Sequence, residues 1–213
     1  MEKDAYGLKW GSEGDRNTER TPWEEQDGSF PVDLFRSWMQ AMTQPGEFFR
    51  SLDPNISFVR PLVFYVVFFV LGSAASTASW LAFPDDAALK PYVWLIFFLS
   101  PFSALLTLIL NIGVIHLGVR VFVPDARPIG VTARALSYCM APAVLVIIPW
   151  VGWIISGLWS LALMVAGIQA THQTSFGRAG AAVIVPTIVF AITLTILVVL
   201  FGVVLALAIG GAV

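Results

Sequence analysis

The stretch Ala135–His172, ALSYCMAPAVLVIIPWVGWIISGLWSLALMVAGIQATH, decides the fold. Between Arg134 and Arg178 there is no Asp, Glu, Lys or Arg, and His172 is the one group that titrates near neutrality. At 1.5 Å per residue a single helix through this stretch would be roughly 60 Å long, about twice the hydrocarbon thickness of a bilayer. Pro149 and Gly152, flanked by Trp150 and Trp153, stand near its middle. Proline interrupts the helical hydrogen-bond ladder, glycine permits a tight turn, and tryptophan favours the lipid–water boundary. PWVGW therefore reads as a corner at a membrane face, with Trp150 and Trp153 as interface anchors. The stretch becomes a hairpin of two spans, 132–148 and 152–170. An irregular crossing is not expected, because lipid offers no partner for unpaired backbone groups.

The rest of the chain agrees with a membrane protein. Its 213 residues are 57% hydrophobic and 12% charged, against about a quarter charged in soluble domains. Eight of the 14 acids precede residue 31, and only Asp85, Asp86 and Asp125 follow residue 53. Residues 1–30 read as a disordered, acidic cytoplasmic tail. Their opening, MEKDAYGLKWGSEGD, has no apolar core, so no cleavable signal peptide is expected. Residues 31–57 read as short interfacial helices. In VDLFRSWMQAMTQ the residues Phe35, Trp38, Met39 and Met42 recur at helical spacing opposite Arg36, Ser37 and Gln40, the pattern of an amphipathic helix too short to span. Residues 58–213 hold three further spans, 61–83, 92–122 and 179–209, the last containing Pro186. The expected fold is all-α: a polytopic bundle of five transmembrane helices preceded by a short amphipathic interfacial helix.

Lys90 is the only basic residue that this topology places outside. The positive-inside rule then puts the N-terminus in the cytoplasm and the C-terminus outside.

The spans limit function as well. Ion-coupled transport usually needs ionisable groups at membrane depth, and none is expected there. His116, Arg134, His172 and Arg178 are assigned to the cytoplasmic face. Ser100, Ser103, Thr107 and Asn111, spaced by three and four residues, share one face of the second span. They read as a polar bundle face suited to interhelical hydrogen bonds, or as the lining of a polar path. Small residues at helical spacing (Gly72, Ser76 and Ser79; Ala133, Ser137 and Ala141; Gly152, Ser156 and Ser160) allow close helix packing, within the chain or between copies. No HExxH, GxSxG or intramembrane aspartate pair occurs, and with two histidines no metal or other cofactor is expected. Cys139 is the only cysteine, so no intrachain disulfide is possible. No basic patch points to nucleic acid. The expected partners are the bilayer and other membrane proteins.

The segment TARALSYCMAPAVLVIIPWVGWIISGLWSLALMVAGIQATHQTSFGRA resembles the YIP domain family of Ypt/Rab-interacting membrane proteins, particularly its prokaryotic branch. Tyr138, Pro149, Gly152, Trp159, Gly167, His172, Ser175, Gly177 and Arg178 carry the likeness. Upstream, Pro22, Trp23 and Glu24, then Pro45, Phe48 and Phe49, are similar to the run-in of bacterial members. The resemblance covers about residues 20–205. It implies five spans, a cytoplasmic N-terminus and a short external C-terminus, placed here in a bacterial inner membrane. Eukaryotic members are tied to vesicle trafficking through Rab GTPases. Some bacterial members carry an N-terminal zinc ribbon, for which this chain lacks the cysteines. The expected role is a non-enzymatic scaffold or adaptor that binds membrane proteins or lipids and organises membrane. The alternative is a small transporter, channel or lipid-translocating protein using the polar face of the second span.

Overall fold

The computed structural model describes residues 21–25, 29–52, 57–82 and 90–210, with side chains from Tyr92 to Gly202 in the last segment. The described residues are helical, without strands. Three short helices come first: α1 (Pro22–Glu25), α2 (Phe30–Thr43) and α3 (Pro45–Arg50). The long helices are α4 (Val59–Ala82), α5 (Lys90–Phe122), α7 (Gly152–Thr171) and α8 (Phe176–Gly210); α6 (Ile129–Tyr138) lies between α5 and α7. Five segments of the described residues are long and apolar enough to cross a membrane. Most of the loop expected between the first two spans, and most of the N-terminal tail, lie outside the described residues.

The third crossing is not the continuous helix expected over 132–148. Its α-helix starts at Ile129 and stops at Tyr138; Ala141–Ile147 then continues as a 3-10 helix. Pro142 is the cause. It has no N–H to give the carbonyl one turn back, and its ring crowds that carbonyl. The chain tightens to three-residue hydrogen bonds: Cys139 N–H to Leu136 O (3.1 Å), Ala143 N–H to Met140 O (3.0 Å) and Ile148 N–H to Leu145 O (3.0 Å). The Ala141 carbonyl receives the indole N–H of Trp38 at 2.8 Å. Irregular backbone is tolerated at membrane depth where protein rather than lipid surrounds it. This segment, packed between α4 and α7, is the most buried of the five.

The corner at PWVGW is a tight turn in which the Val151 N–H donates to the Pro149 carbonyl at 2.7 Å. Trp150, not the glycine, takes the left-handed backbone, with φ 66°. Gly152 serves for close approach: a methyl group on it would lie 2.3 Å from the Leu145 carbonyl oxygen.

The first turns of α2 and α3 each contain a proline, tolerated there because those N–H groups lack helical partners in any case. Both helices fold onto the bundle. Phe48 and Phe49 of α3 are buried, and Phe48 meets Tyr138 edge-on at 4.9 Å. Phe64 reaches Tyr138 at 4.8 Å and Phe68 at 4.4 Å, and Phe68 stacks on Trp38. An aromatic core thus fills the space between α2, α3, α4 and α6. In contrast, from Ile184 to Gly202 every residue of α8 except the half-buried Pro186 is exposed.

Helices α5 and α8 close on each other at Gly118. A methyl group there would lie 2.1 Å from the Ala182 carbonyl oxygen, so that backbone must retreat. Gly118→Ala is expected to lower the melting temperature of the detergent-solubilised protein by several degrees. Gly113→Ala, where a methyl group meets nothing within 4 Å, leaves it unchanged.

Candidate functional site

Helix α6 is short, yet every residue from Thr132 to Tyr138 is buried. A helix enclosed on all sides has to satisfy its polar side chains within the protein. On α6 they divide between two faces. Arg134 and Tyr138, one turn apart, point one way. Thr132, about 200° around the helix from Arg134, points the other.

The first face meets the N-terminal segment. Tail residues 1–20 and 26–28 lie outside the described residues, but Thr21–Glu25, expected to be disordered with the rest of the tail, are folded. The Trp23 backbone N–H donates to Ser37 Oγ (2.8 Å), and its indole N–H donates to the Arg60 carbonyl (2.9 Å). The Arg60 guanidinium donates to the Trp23 carbonyl and lies over the indole, 5.5 Å from its centroid. Phe30 meets the same ring edge-on at 5.0 Å. These contacts fix α1 so that Glu24 enters the bundle. Its Oε1 accepts from Arg134 Nη1 and from the Tyr138 hydroxyl, both at 2.8 Å. The Glu24 and Arg134 side chains are 0% and 6% exposed.

The second face is a chain of hydrogen bonds. The Arg127 backbone N–H lies 3.2 Å from His172 Nδ1, so Nδ1 is the acceptor and Nε2 carries the proton. His172 Nε2–H then donates to Thr132 Oγ1 at 2.9 Å, and the Thr132 hydroxyl donates to His116 Nδ1 at 2.9 Å. The tautomers follow from the one donor whose identity is certain, the backbone amide. Burial, then the nearby His116 and Arg127, pull the His172 pKa down to about 4. Protonation would place a second N–H against the Arg127 amide.

The remaining candidates fall out variously. His116 and His172 come together through Thr132. Arg134 sits in the second turn of α6, and Arg178 is exposed. Ser100 is buried, and its Oγ has no partner among the described residues; Ser103 Oγ donates to the Ser100 carbonyl at 3.0 Å; Thr107 and Asn111 are half-buried. Trp38 and Met42 pack on the core, whereas Phe35 and Met39 are exposed. Trp150 and Trp153 are exposed at the corner. Gly72 and Gly152 pack within the chain, Gly72 against Ala143. Reading the sequence missed Glu24 and Thr132 as site residues, and Tyr138 as more than a mark of resemblance.

Apart from Glu24, Trp23 and Trp38, the residues that build both faces of α6 and the aromatic core around them fall in a stretch, residues 39–200, that matches the Yip1 domain. The chain belongs to the Yip1 domain family. Comparison with curated proteins and with solved structures finds no match. The Yip1 match contains His116, Thr132, Arg134, Tyr138 and His172 but begins after Glu24.

Removing one partner of a buried pair leaves the other charge uncompensated, a loss of about 3–5 kcal/mol. Glu24→Ala is expected to destabilise the protein on that scale in chemical unfolding from mixed micelles. Arg134→Met in the Glu24→Ala background should recover most of the loss, giving a large coupling in the double-mutant cycle.

The depressed His172 pKa also sets a pH dependence. The unfolded chain, with the ordinary value of 6.5, binds the proton before the folded protein, at about 4. The stabilisation is complete above pH 6.5 and falls as pH drops towards 4, below which both states are protonated. His172→Asn should flatten the stability profile in that window.

Proposed function

We propose that this Yip1-domain protein is a non-enzymatic membrane scaffold, an adaptor that holds other membrane proteins by their transmembrane helices. The observation that carries this reading is the bare second half of α8. Apart from Thr187, Thr193 and Thr195 it is apolar, and among the described residues every position from Ile184 to Gly202 except the half-buried Pro186 is exposed. Helices in lipid associate by van der Waals packing rather than by escape from water, so such a surface can exchange lipid for a partner helix at little cost. The polar chemistry, meanwhile, is turned inward. Glu24, Arg134 and Tyr138 engage one another, as do His116, Thr132 and His172. A transporter would need polar groups facing a path.

The proposed setting is a bacterial inner membrane, with the N-terminus cytoplasmic and the C-terminus external. Two features support it. Arg60 at the start of α4 and Arg134 in α6 meet the N-terminal segment through Trp23 and Glu24, and Arg120 and Arg178 stand at the end of α5 and the start of α8, the ends this orientation makes cytoplasmic under the positive-inside rule. The exposed Trp150 and Trp153 mark the other end of α7.

Reconstituted in liposomes, the protein is expected to conduct no ion, small solute or lipid. A flux that Asn111→Leu abolishes would establish the transporter reading instead. A cysteine in place of Val151 should react with a membrane-impermeant thiol reagent added from outside. Cys139 is buried and contributes little background, and labelling only from the cytoplasmic side would overturn the topology.

A further inference from the structure

Three arginines on three separate elements converge on one hollow. Arg50 ends α3, Arg127 lies in the loop between α5 and α6, and Arg134 belongs to α6. All three line a pocket of about 420 Å³, together with Phe49 and Gln173. Among the described residues that line it there is no Asp or Glu. Glu24 compensates Arg134 from its own face of α6, and Arg50 and Arg127 add two further positive charges. Like charges gathered in a concave, partly apolar wall repel one another and focus their field outward. An anion held in the hollow relieves that repulsion.

Geometry and position narrow the anion. The pocket forms where α3 and α7 end and α6 begins. Helix α7, 20 residues long, spans about 30 Å, so its end lies near the edge of the hydrocarbon, where lipid phosphates sit. Guanidinium groups present paired N–H donors that match phosphate oxygens. The pocket's size falls within the roughly 300–1,000 Å³ of small-ligand sites. The Thr171 hydroxyl is committed to the Gly167 carbonyl and Arg134 to Glu24, which leaves the Arg50 and Arg127 guanidinium groups and the Gln173 amide as the side-chain donors for a ligand. Gln173 follows the end of α7 with φ 53°, and the Thr174 N–H returns to the Gln169 carbonyl. Glycine normally fills this left-handed position at a helix end. Gln173 stands there despite a conformation that disfavours it, and it lines the hollow.

We infer that the Arg50–Arg127–Arg134 pocket binds a phosphate group, either the headgroup of an anionic phospholipid or a free phosphate ion. The site goes beyond the scaffold reading and does not depend on it, since a protein of either function could hold such a group at its membrane edge.

The full chain, purified in neutral detergent, is offered phosphatidylglycerol, phosphatidylcholine or inorganic phosphate, and native mass spectrometry counts what stays bound. Phosphatidylglycerol should be retained about tenfold better than phosphatidylcholine, as one good charge-assisted contact predicts. R50Q/R127Q should lose that preference while remaining monodisperse, and R178Q, altered at an exposed arginine outside the pocket, should keep it. Retention that withstands millimolar inorganic phosphate identifies the lipid headgroup as the ligand. Phosphate that binds by itself, displaces the lipid and is lost in R50Q/R127Q identifies the free ion. Equal retention of the two lipids with no phosphate bound, or a preference unchanged in R50Q/R127Q, would overturn the site. Neither result bears on helix partners or on flux, so the scaffold reading stands or falls separately.

Discussion

A guanidinium inside a membrane bundle is the constraint around which this protein is organised. Arg134 is buried in the second turn of the third crossing. A bare charge there would cost several kcal/mol even after local relaxation. The counter-ion comes from 110 residues away in the chain, through Glu24. To deliver it, the N-terminal segment must be fixed in place, and Trp23 fixes it through Ser37 and Arg60. The ion pair therefore draws α1, α2 and the start of α4 into one assembly with α6. Replacement by apolar residues of similar shape could leave stability much the same, since a buried pair is weak evidence for stability. What the pair adds is a unique position for α1, because a slipped register would strand a charge.

The broken third crossing belongs to the same assembly. A continuous helix would satisfy its own backbone and need no neighbours. Pro142 removes that independence, and the crossing becomes viable only with α4 and α7 around it and the Trp38 indole on the Ala141 carbonyl. The amphipathic helix α2 thus has two faces with different work. Trp38 and Met42 turn inward to complete the bundle, while Phe35 and Met39 remain outside. The helix expected to lie in the interface is also a structural one.

Five crossings and an all-helical fold were legible because apolar runs bounded by charge and proline need only composition and length to be read. What the sequence concealed depended on distance along the chain. The tail looked disordered because PWEE is a single helical turn in an acidic, aperiodic stretch, and periodicity needs several turns to register. Yet a clue was present. Arg134 stands next to a long uncharged run, and after residue 53 the chain has only Asp85, Asp86 and Asp125. A partner for a buried Arg134 had few later candidates, so an N-terminal acid was the natural source. Hydropathy put Arg134 at a loop edge instead, because apolar windows cannot tell a helix that starts at Ile129 from one that starts at Thr132. The 3-10 turn escaped for a related reason: Pro142 lies in an apolar run that reads as helix until the backbone's hydrogen bonds are counted.

The two ends of the bundle obey different rules. At the end that holds α1–α3, the aromatic core is joined by buried polar groups that are directional and mutually dependent, and moving one would strand another. Towards the far end, α8 is largely apolar and exposed, and α5 exposes Trp94, Ile96, Phe98 and Phe102. Nothing directional specifies what those surfaces touch. The directional contacts around α1 and α6 thus gather at the end that holds the N-terminal helices, while the exposed surfaces of α5 and α8 ask only for close packing.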